Sequence, residues 1–523
     1  MNTEKINRSK IILAVLSGLL LTLAFPKTGI SWLAWFALLP LLIALRNLSP
    51  KNGFYLGFCS GLAHYLTLVY WLAHTMQTYG NLPLYLCLAV LILLSSYLAL
   101  YTAVFAMIVT RLCSTPLRFY IIAPCLWVSL EYIRTFLFTG FPWELLGYTQ
   151  FNILPLIQIS DIFGVYGVSF CIALSNAAIF LLYLYFTGKD RQKNGVAKSL
   201  AAGSILSFAL IFGLVWFYGT WRIDSIYELS SDAPLVKISI VQGNIDQAKK
   251  WDPAFQRSSI IKYIELSLLA KKHKPDLVVW PETATPFYFL YNTELSEMVL
   301  KGIRDTGTDF LIGSPSFSLV NSAVEYYNSA YLIGPGGKVC GKYDKAHLVP
   351  FGEYVPFKKW LPFLGKMVEQ VGDFWPGKKG QTIQWKDYKL GLQICYEIIF
   401  PNLSRAMAKN NAALLVNITN DAWYGRSSAP YQHFSMTIFR AVENRRALIR
   451  AANTGISGFI DPSGRVIAST QLFKDAIITR SVPMLHGTTF YSGFGDLFAM
   501  ICLALTLIAA LHNYVRYLNK RKK

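Results

Sequence analysis

The sequence is poor in charged residues. Asp, Glu, Lys and Arg make up 15% of its 523 residues, whereas an average globular protein carries roughly 25%. Apolar residues reach 54%, and the mean hydropathy is +0.38. This composition excludes a disordered or collagen-like chain and indicates a membrane protein. At ~100–200 residues per domain, the length leaves room for a globular domain beside the membrane spans.

The sequence also lacks any pattern among its cysteines. Six of the eight lie in apolar, span-like stretches, and no pair has the spacing of a zinc site or a CxxC motif. We therefore expect neither a disulfide framework nor a metal site. Phosphate-binding loops and dinucleotide fingerprints are absent from the sequence too, so we expect no cofactor.

Acidic residues are scarce relative to basic ones, at 29 against 49, which gives a net charge of +20. In a soluble protein this excess would indicate nucleic-acid binding. In a chain this apolar, basic residues that flank and orient membrane spans explain it better. We therefore expect no nucleic-acid partner.

Apolar stretches that reach, or nearly reach, the ~20 residues needed to cross a bilayer recur along the chain. They lie at about 11–26, 31–46, 54–74, 84–112, 119–134, 164–186, 199–218 and 493–516. The first has a basic start but no small-residue cleavage site after it, so we interpret it as an uncleaved helix rather than a signal peptide. Eight spans place both termini on the same side.

The distribution of Lys and Arg predicts which side that is. Both terminal segments are basic, and so is the connection at 189–198, whereas the connection at 74–83 has no Lys or Arg. Under the positive-inside rule, both termini face the cytoplasm. The long segment between the last two spans then faces outward.

The sequence therefore predicts three parts: a membrane domain of about seven transmembrane helices at 1–221, a globular domain at 222–490, and a C-terminal transmembrane helix with a basic tail at 491–523. Within 222–490, short β-rich runs alternate with helical stretches of mixed polarity. This alternation is typical of an α/β domain.

Three residues in this segment lie just after apolar runs, where an α/β sheet presents its active site. Glu282 could act as a general base, Lys345 could stabilise an oxyanion, and Cys395 could attack an acyl carbonyl. Each alone has a plainer interpretation: a solvated loop glutamate, a surface loop, or a buried strand cysteine. His347 could be a base or ligand, but a structural histidine is the simpler interpretation.

Together, Glu282, Lys345 and Cys395 resemble the Glu–Lys–Cys triad of the nitrilase superfamily. The resemblance implies an αββα sandwich and reactions that proceed through a thioester on Cys395. Glu282 would be the base, and Lys345 with the backbone N–H of Tyr396 would stabilise the oxyanion. Glu353 resembles the supporting second glutamate of that superfamily.

Seven spans before such a domain and one after it resemble the apolipoprotein N-acyltransferase family. The similar motifs are Gly140–Trp143 with Gly147-Tyr148, Val241–Asn244 with Trp251, Trp280–Glu282, His347–Glu353 and Cys395–Glu397. The resemblance also points to Trp251, Tyr396 and Glu397 as functional neighbours. The alternatives remain packing for Trp251 and Tyr396 and a local hydrogen bond for Glu397.

This resemblance implies transfer of an acyl chain from a phospholipid, through the thioester, to the N-terminal α-amine of a diacylglyceryl-cysteine lipoprotein. That is the last step of lipoprotein maturation. It implies the bacterial inner membrane as location, with the catalytic domain on the periplasmic side and both termini cytoplasmic. The partners would be the phospholipid donor, the diacylated apolipoprotein acceptor and the membrane. Nothing in the sequence requires an oligomer, and we expect a monomer.

Three further interpretations stay open. Residues 355–375 mix aromatic, aliphatic and Lys residues, which favours an interfacial arm that admits lipid. A membrane-tethered amidohydrolase would use the same three residues, with water as the second nucleophile. A transporter would need charges within its spans. The candidates, Glu131, Arg134, Glu144 and Asp161, look like interfacial residues.

Overall fold

The computed structural model describes residues 5–112, 115–188, 196–356 and 373–521. The chain divides into two compact units. The helical unit comprises Met1–Ala73, Pro83–Trp221 and Asp496–Lys523, and the sheet unit comprises His74–Leu82 and Arg222–Gly495. A short segment from the first third of the sequence therefore belongs to the sheet unit.

The helices are numbered along the described chain. They are α1 (Arg8–Ala24), α2 (Leu39–Ala44), α3 (Pro50–Leu68), α4 (Trp71–Gly80), α5 (Leu84–Leu112), α6 (Pro116–Phe136), α7 (Leu154–Ile157), α8 (Ser160–Phe163), α9 (Val165–Thr187), α10 (Lys198–Ser231), α11 (Gln247–Lys250), α12 (Pro253–Ala270), α13 (Thr293–Thr306), α14 (Pro401–Lys409), α15 (Ala429–Asn444), α16 (Phe490–Phe494) and α17 (Leu497–Arg521).

Within the described residues, four helices are long and apolar enough to cross a membrane. They span Leu84–Arg111, Val165–Thr187, Lys198–Ser231 and Leu497–Arg516. Helices α3 and α4 meet at a 49° bend and would add a fifth if they form one broken span. Helices of this length and composition indicate a membrane protein.

The prediction of a single span at 31–46 is wrong. The stretch forms a 3-10 helix, Ser31–Trp35, and then the short α2. The side chain of Asn176 explains the break, because it accepts a hydrogen bond from Leu38 N at 2.9 Å and donates one to Ala34 O at 2.9 Å. A side chain that satisfies freed backbone groups lets a helix stop inside an apolar environment.

Small residues allow helices of the helical unit to pack closely. A Cβ at Gly57 would lie 2.8 Å from Ala103 Cα, and one at Gly61 would lie 2.8 Å from Ala99 Cα. Close backbone approach of this kind is how helices associate when lipid removes the hydrophobic driving force. It explains why α3 and α5 pack tightly against each other.

The four charged residues that the sequence suggested were interfacial are buried within the helical unit. Glu131 accepts hydrogen bonds from Leu146 N at 2.7 Å and from Trp127 Nε1 at 3.1 Å. Arg134 donates to the Tyr65 hydroxyl. These contacts hold the irregular chain after α6 in place, which is a structural use of buried charge.

The sheet unit contains two six-stranded sheets. In chain order the strands are β1 (Leu235–Gln242), β2 (Leu277–Val279), β3 (Asp309–Val320), β4 (Ala323–Ile333), β5 (Val339–Asp344), β6 (Thr382–Trp385), β7 (Tyr388–Ile394), β8 (Ala412–Thr419), β9 (Ala447–Ala452), β10 (Gly458–Ile460), β11 (Val466–Ser469) and β12 (Ala476–Pro483). The first sheet has the order β12-β1-β2-β3-β4-β5 and the second β11-β10-β9-β8-β7-β6.

Each sheet has three parallel strands at its centre, β1-β2-β3 in one and β7-β8-β9 in the other. Strand β8 is buried along its whole length, as expected for a parallel strand covered on both faces. Helices α12 and α13 pack against the first sheet around Tyr263, Trp280 and Val299, and α14 and α15 pack against the second. The αββα sandwich implied by the sequence is confirmed.

Candidate active site

The predicted site residues lie where strands of the two sheets end. Glu282 follows β2, Lys345 follows β5 directly, and Cys395 follows β7 directly. Carboxyl ends of parallel strands meet at one edge of a sheet, where α/β proteins bind their ligands. The structure brings Glu282 and Lys345 into contact. The charges of both residues shift the pKa of the Cys395 thiol, Glu282 upward and Lys345 downward.

Glu282 is almost fully buried and held by both carboxylate oxygens. Asn328 Nδ2 donates to Oε1 at 2.8 Å, and the backbone N–H of Asn420 donates to Oε2 at 2.9 Å. The Lys345 ammonium lies 3.6 Å from Oε1. This carboxylate therefore has a fixed orientation instead of the mobility of a solvated loop glutamate.

A glycine lets the Glu282 backbone approach β3. A Cβ at Gly313 would lie 2.4 Å from the Pro281 carbonyl oxygen and 2.7 Å from the Glu282 Cα. Because real Cβ atoms essentially never come so close, only glycine fits here. The position of the carboxylate thus depends on a residue in the neighbouring strand.

Lys345 is 1% exposed and lies between two carboxylates. Its Nζ donates to Glu353 Oε1 at 3.0 Å and lies 3.6 Å from Glu282 Oε1. Burial alone would lower the pKa of Lys345, but the charges of Glu353 and Glu282 outweigh it and raise the pKa above its usual range. The lysine stays protonated at neutral pH.

Cys395 makes a sharp turn directly after β7, as the first residue of the 3-10 helix Cys395–Ile399, with a φ of 52°. A left-handed conformation at a non-glycine residue is strained and persists only where the surroundings hold it. The side chain of Asn417 and the ring of His433 both contact the Cys395 carbonyl oxygen, at 3.4 and 3.2 Å. Burial, and then the charge of Glu282, raises the pKa of the thiol well above its usual range.

Glu353, the predicted second glutamate, bridges Lys345 to its own loop. Its Oε1 accepts from Lys345 Nζ and from Asn328 Nδ2 at 2.9 Å, and its Oε2 accepts from Val349 N at 2.8 Å. The same Asn328 amide thus donates to both Glu282 and Glu353. These contacts fix the spacing of the two carboxylates around the lysine.

Glu397 makes long-range hydrogen bonds as well as the local one that was the plainer interpretation of this residue. Its carboxylate accepts from Ile394 N at 2.7 Å, from Ala346 N at 2.7 Å and from His347 N at 3.0 Å. The Tyr343 hydroxyl lies 3.0 Å from both oxygens. Burial raises the pKa of Glu397 to about 7 in spite of these donors. The residue ties the turn at the end of β7 to the loop that follows Lys345.

The other predicted residues are less directly connected. Tyr396 is buried and packs edge-on against Phe400, and the ring of His347 lies 3.9 Å from that of Phe400. Burial lowers the pKa of His347 to about 4, which supports a structural histidine. Trp251 is half-buried at the end of α11. Its indole makes no hydrogen bond to any residue that the structure describes.

Sequence reasoning missed several polar residues around Glu282. Beside Asn328 and Asn420, these include Gln247, which accepts from Asn420 Nδ2 at 2.5 Å, and Lys250, whose Nζ donates to the Glu282 carbonyl oxygen at 3.1 Å. Burial lowers the pKa of Lys250 to about 8. A usable signal was the position of Gln247 and Lys250 in the short helix α11 after β1, close to the motif at Val241–Asn244.

A second buried charge cluster lies behind Cys395. Asp421 accepts from Arg450 Nη2 at 2.8 Å, and His433 Nδ1 lies 2.9 Å from the same carboxylate. Because His433 Nε2 faces the Cys395 carbonyl oxygen, its ring holds the backbone of the turn.

Most of the predicted arm at 355–375 lies outside the described residues.

Two family models match the two parts of the chain. Residues 17–178 match the family described as the apolipoprotein N-acyltransferase N-terminal domain, and residues 237–486 match the carbon-nitrogen hydrolase family. Among solved structures, an amidase from Nesterenkonia sp. AN1 aligns with 47% of this chain and 90% of its own, at 19% identity and a TM-score of 0.36.

Relatives match over nearly the full length. The apolipoprotein N-acyltransferase of Geobacter metallireducens is 46% identical over 510 residues, covering 97% of this chain and 96% of that protein. That of Methylococcus capsulatus is 32% identical over 491 residues, covering 93% and 92%. With identity this high across both units, the chain belongs to the apolipoprotein N-acyltransferase family.

Proposed function

We propose that this chain transfers an acyl chain from a phospholipid to the N-terminal α-amine of a diacylglyceryl-cysteine lipoprotein, through a thioester on Cys395. The observation that carries the proposal is the buried Lys345 ammonium between Glu282 and Glu353, at the strand ends where Cys395 also lies. Membership of the family supplies the substrate class. Lipid and lipoprotein substrates suit a chain with several membrane-crossing helices.

The first step needs a base, because burial and the charge of Glu282 keep the resting Cys395 thiol protonated. Glu282 takes the thiol proton, and the sulfur attacks the ester carbonyl of the phospholipid. Negative charge then develops on the carbonyl oxygen, where Lys345 and the backbone N–H of Tyr396 stabilise it. The C–O ester bond breaks, Glu282 returns the proton to the leaving alcohol, and a lysophospholipid departs.

In the second step the lipoprotein amine attacks the thioester carbonyl. Glu282 accepts the proton that the amine loses and delivers it to the departing Cys395 sulfur. An amide forms and the thiol is regenerated. Two easier steps replace one difficult aminolysis, since a thioester reacts with amines far faster than an oxygen ester does.

The remaining predicted residues support this chemistry. Glu353 holds Lys345 in place, and Glu397 fixes the loop after Lys345 relative to the turn at Cys395. We assign Tyr396 and Trp251 to the walls of the acyl site, on the basis of the burial of Tyr396 and the family resemblance at Trp251. No step requires a metal or a nucleotide.

The proposal extends to location and organisation. We propose a multi-pass protein of the bacterial inner membrane with membrane domain 1–221, periplasmic catalytic domain 222–490, C-terminal helix and tail 491–523, and cytoplasmic termini. The basic termini support this orientation. We propose that the protein works as a monomer.

The test incubates the purified full chain with phospholipid carrying a labelled acyl chain, without any amine acceptor. We expect label on Cys395 that neutral hydroxylamine removes, and none on the Cys395→Ala variant. Addition of a diacylglyceryl-cysteine peptide should then move the label into an amide.

Two results would contradict the proposal. Folded protein that acquires no label would remove phospholipid as the acyl donor. Label that leaves Cys395 as free fatty acid in the presence of the peptide would indicate a membrane-tethered amidohydrolase instead.

A further inference from the structure

Residues 74–82, which the sequence presents as a plain connection between two apolar stretches, belong to the sheet unit. They form most of α4 and the short link that follows it. A connection that only joined two membrane helices would have no need of specific contacts with an α/β domain. The contacts that residues 74–82 make within the sheet unit include hydrogen bonds to specific backbone carbonyls.

Two side chains of this segment donate hydrogen bonds to consecutive backbone carbonyls of one turn. Thr75 Oγ1 donates to Trp423 O at 2.8 Å, and the Tyr79 hydroxyl donates to Ala422 O at 2.9 Å. The Tyr79 ring also packs edge-on against the Trp423 ring, with centroids 5.0 Å apart. Both acceptors lie in the 3-10 helix Asp421–Tyr424.

The fit is close at the end of that turn as well. Gly425 has a φ of 57°, and a Cβ there would lie 2.7 Å from His74 Nε2. The backbone of the turn therefore lies directly against the segment, where a side chain would separate them. Contacts at Ala422, Trp423 and Gly425 define a built interface inside the sheet unit.

The residue directly before this turn contacts the proposed base, Glu282. Asn420, immediately before it, donates its backbone N–H to Glu282 Oε2 at 2.9 Å and its side-chain amide to Gln247 at 2.5 Å. Asn420 is 3% exposed. The direction of a backbone N–H is set by the peptide that carries it, so a shift of the turn would turn this donor away from the carboxylate.

We propose that Thr75 and Tyr79 are positioning residues for acyl transfer: they hold the turn Asp421–Tyr424 and, through it, the Asn420 N–H on the carboxylate of Glu282. The inference rests on the proposed function. It adds that residues 74–82 help to build the active site. Neither residue need touch a substrate for this role.

The test uses the full chain with the double variant Thr75→Val/Tyr79→Phe, which removes both donors and keeps both shapes. A matched control, Tyr291→Phe/Thr293→Val, makes the same chemical changes at exposed positions of the sheet unit. Labelled phospholipid is supplied over a range of concentrations, and the single-turnover rate of acylation of Cys395 is measured.

We expect the maximal acylation rate of the double variant to fall roughly tenfold or more, because a misplacement of about 1 Å in an active site can cost ~10²-fold. The phospholipid concentration at half-maximal rate should stay within about twofold, since substrate contacts are intact. Thr75→Ser, which keeps the donor, should retain wild-type rate. The control double variant should match wild type.

Hydrogen exchange supplies a readout that a general loss of stability would not reproduce. Amides of residues 420–425 should exchange faster in the double variant, whereas those of β8 should keep their protection. Unchanged acylation and exchange in the folded variant would overturn the inference and leave the proposed function standing. Wild-type protein that acquires no label would overturn the proposed function and this inference with it.

Discussion

Two buried charge clusters lie within the sheet unit and differ in how their charges are balanced. In the first, one ammonium, Lys345, serves two carboxylates, Glu282 and Glu353. In the second, one carboxylate, Asp421, faces the guanidinium of Arg450 and the ring of His433. The side chains of both clusters are at most 11% exposed to solvent.

The balance matches what each cluster does under the proposed mechanism. Burial alone would raise the pKa of Asp421, but Arg450 and His433 outweigh it and hold the pKa below its usual range. Asp421 therefore stays ionised, and its cluster holds the turn at Cys395. In the first cluster two carboxylates share the Lys345 ammonium, and the buried Lys250 ammonium contacts the Glu282 backbone carbonyl and not its carboxylate. A fully compensated carboxylate suits a scaffold, whereas one that shares its cation suits proton transfer.

Breaking the compensated cluster should produce the largest loss of stability. Arg450→Met removes the partner of a fully buried carboxylate, which typically costs ~3–5 kcal/mol. Denaturant unfolding of the purified variant measures it. The exposed pair Arg257–Glu294 supplies the control, since Arg257→Met should cost less than ~1 kcal/mol. Equal losses for the two variants would show that burial does not distinguish these ion pairs.

Breaking the other cluster should show first as lost activity. Lys345→Met removes the proposed oxyanion donor and should lower the acylation rate roughly 10²–10³-fold, equivalent to ~2.7–4 kcal/mol. The rate of labelling of Cys395 by labelled phospholipid measures the effect on protein shown to be folded. A variant that acylates within tenfold of wild type would remove Lys345 from the chemical step.

Glu397 should give stability a distinctive pH dependence. Burial raises its pKa from 4.5 to about 7, so the folded state binds a proton more readily than the unfolded chain does. Its contribution is therefore fully present below pH 4.5 and is lost as the pH rises through about 7, by ~3 kcal/mol in total.

The measurement compares the free energy of unfolding of wild type and Glu397→Gln between pH 4 and pH 8. The difference between the two curves should show this loss of stability with rising pH, because the variant cannot ionise at position 397. A difference that is flat over the range would mean that the hydrogen bonds to Glu397 cancel the effect of burial.

The smallest effect is expected at Lys342, three residues before Lys345 in the chain. It pairs with Asp344 at 2.9 Å, and both side chains are about one-quarter exposed. Lys342→Met should change stability by less than ~1 kcal/mol and acylation by less than twofold. A large loss of acylation would mean that the position of this strand, and not only the buried lysine, limits the reaction.

The sequence was sufficient to predict the αββα sandwich and the placement of Lys345 beside Glu282. Reactive side chains just after apolar runs, at family spacing, carry that signal, and the catalytic roles of Glu282, Lys345 and Cys395 stay predictions. The supporting network was not predictable in the same way. Asn328 lies inside a strand, and the Asn420 donor is a backbone N–H, which leaves no mark in a sequence.

Long-range contacts explain the remaining differences. The break within the expected span at 31–46 depends on Asn176, far along the chain. The sequence at 74–82 indicates only a connection, because the partners of this segment, Ala422 and Trp423, lie over 340 residues away in the chain. Neither contact can be predicted from the local sequence pattern.

Strand pairing in the first sheet has a consequence for biosynthesis. Its first strand, β1, pairs with β12 along its whole length, from Leu235 opposite Pro483 to Gln242 opposite Ala476. At ~5–20 residues per second, a ribosome needs on the order of 10–50 s to make the intervening chain. During that interval one edge of β1 has no partner strand and is open to non-native pairing. The catalytic fold closes only when its last strand emerges, so a nascent chain that stops short of Ala476 carries every proposed catalytic residue and an unfinished sheet.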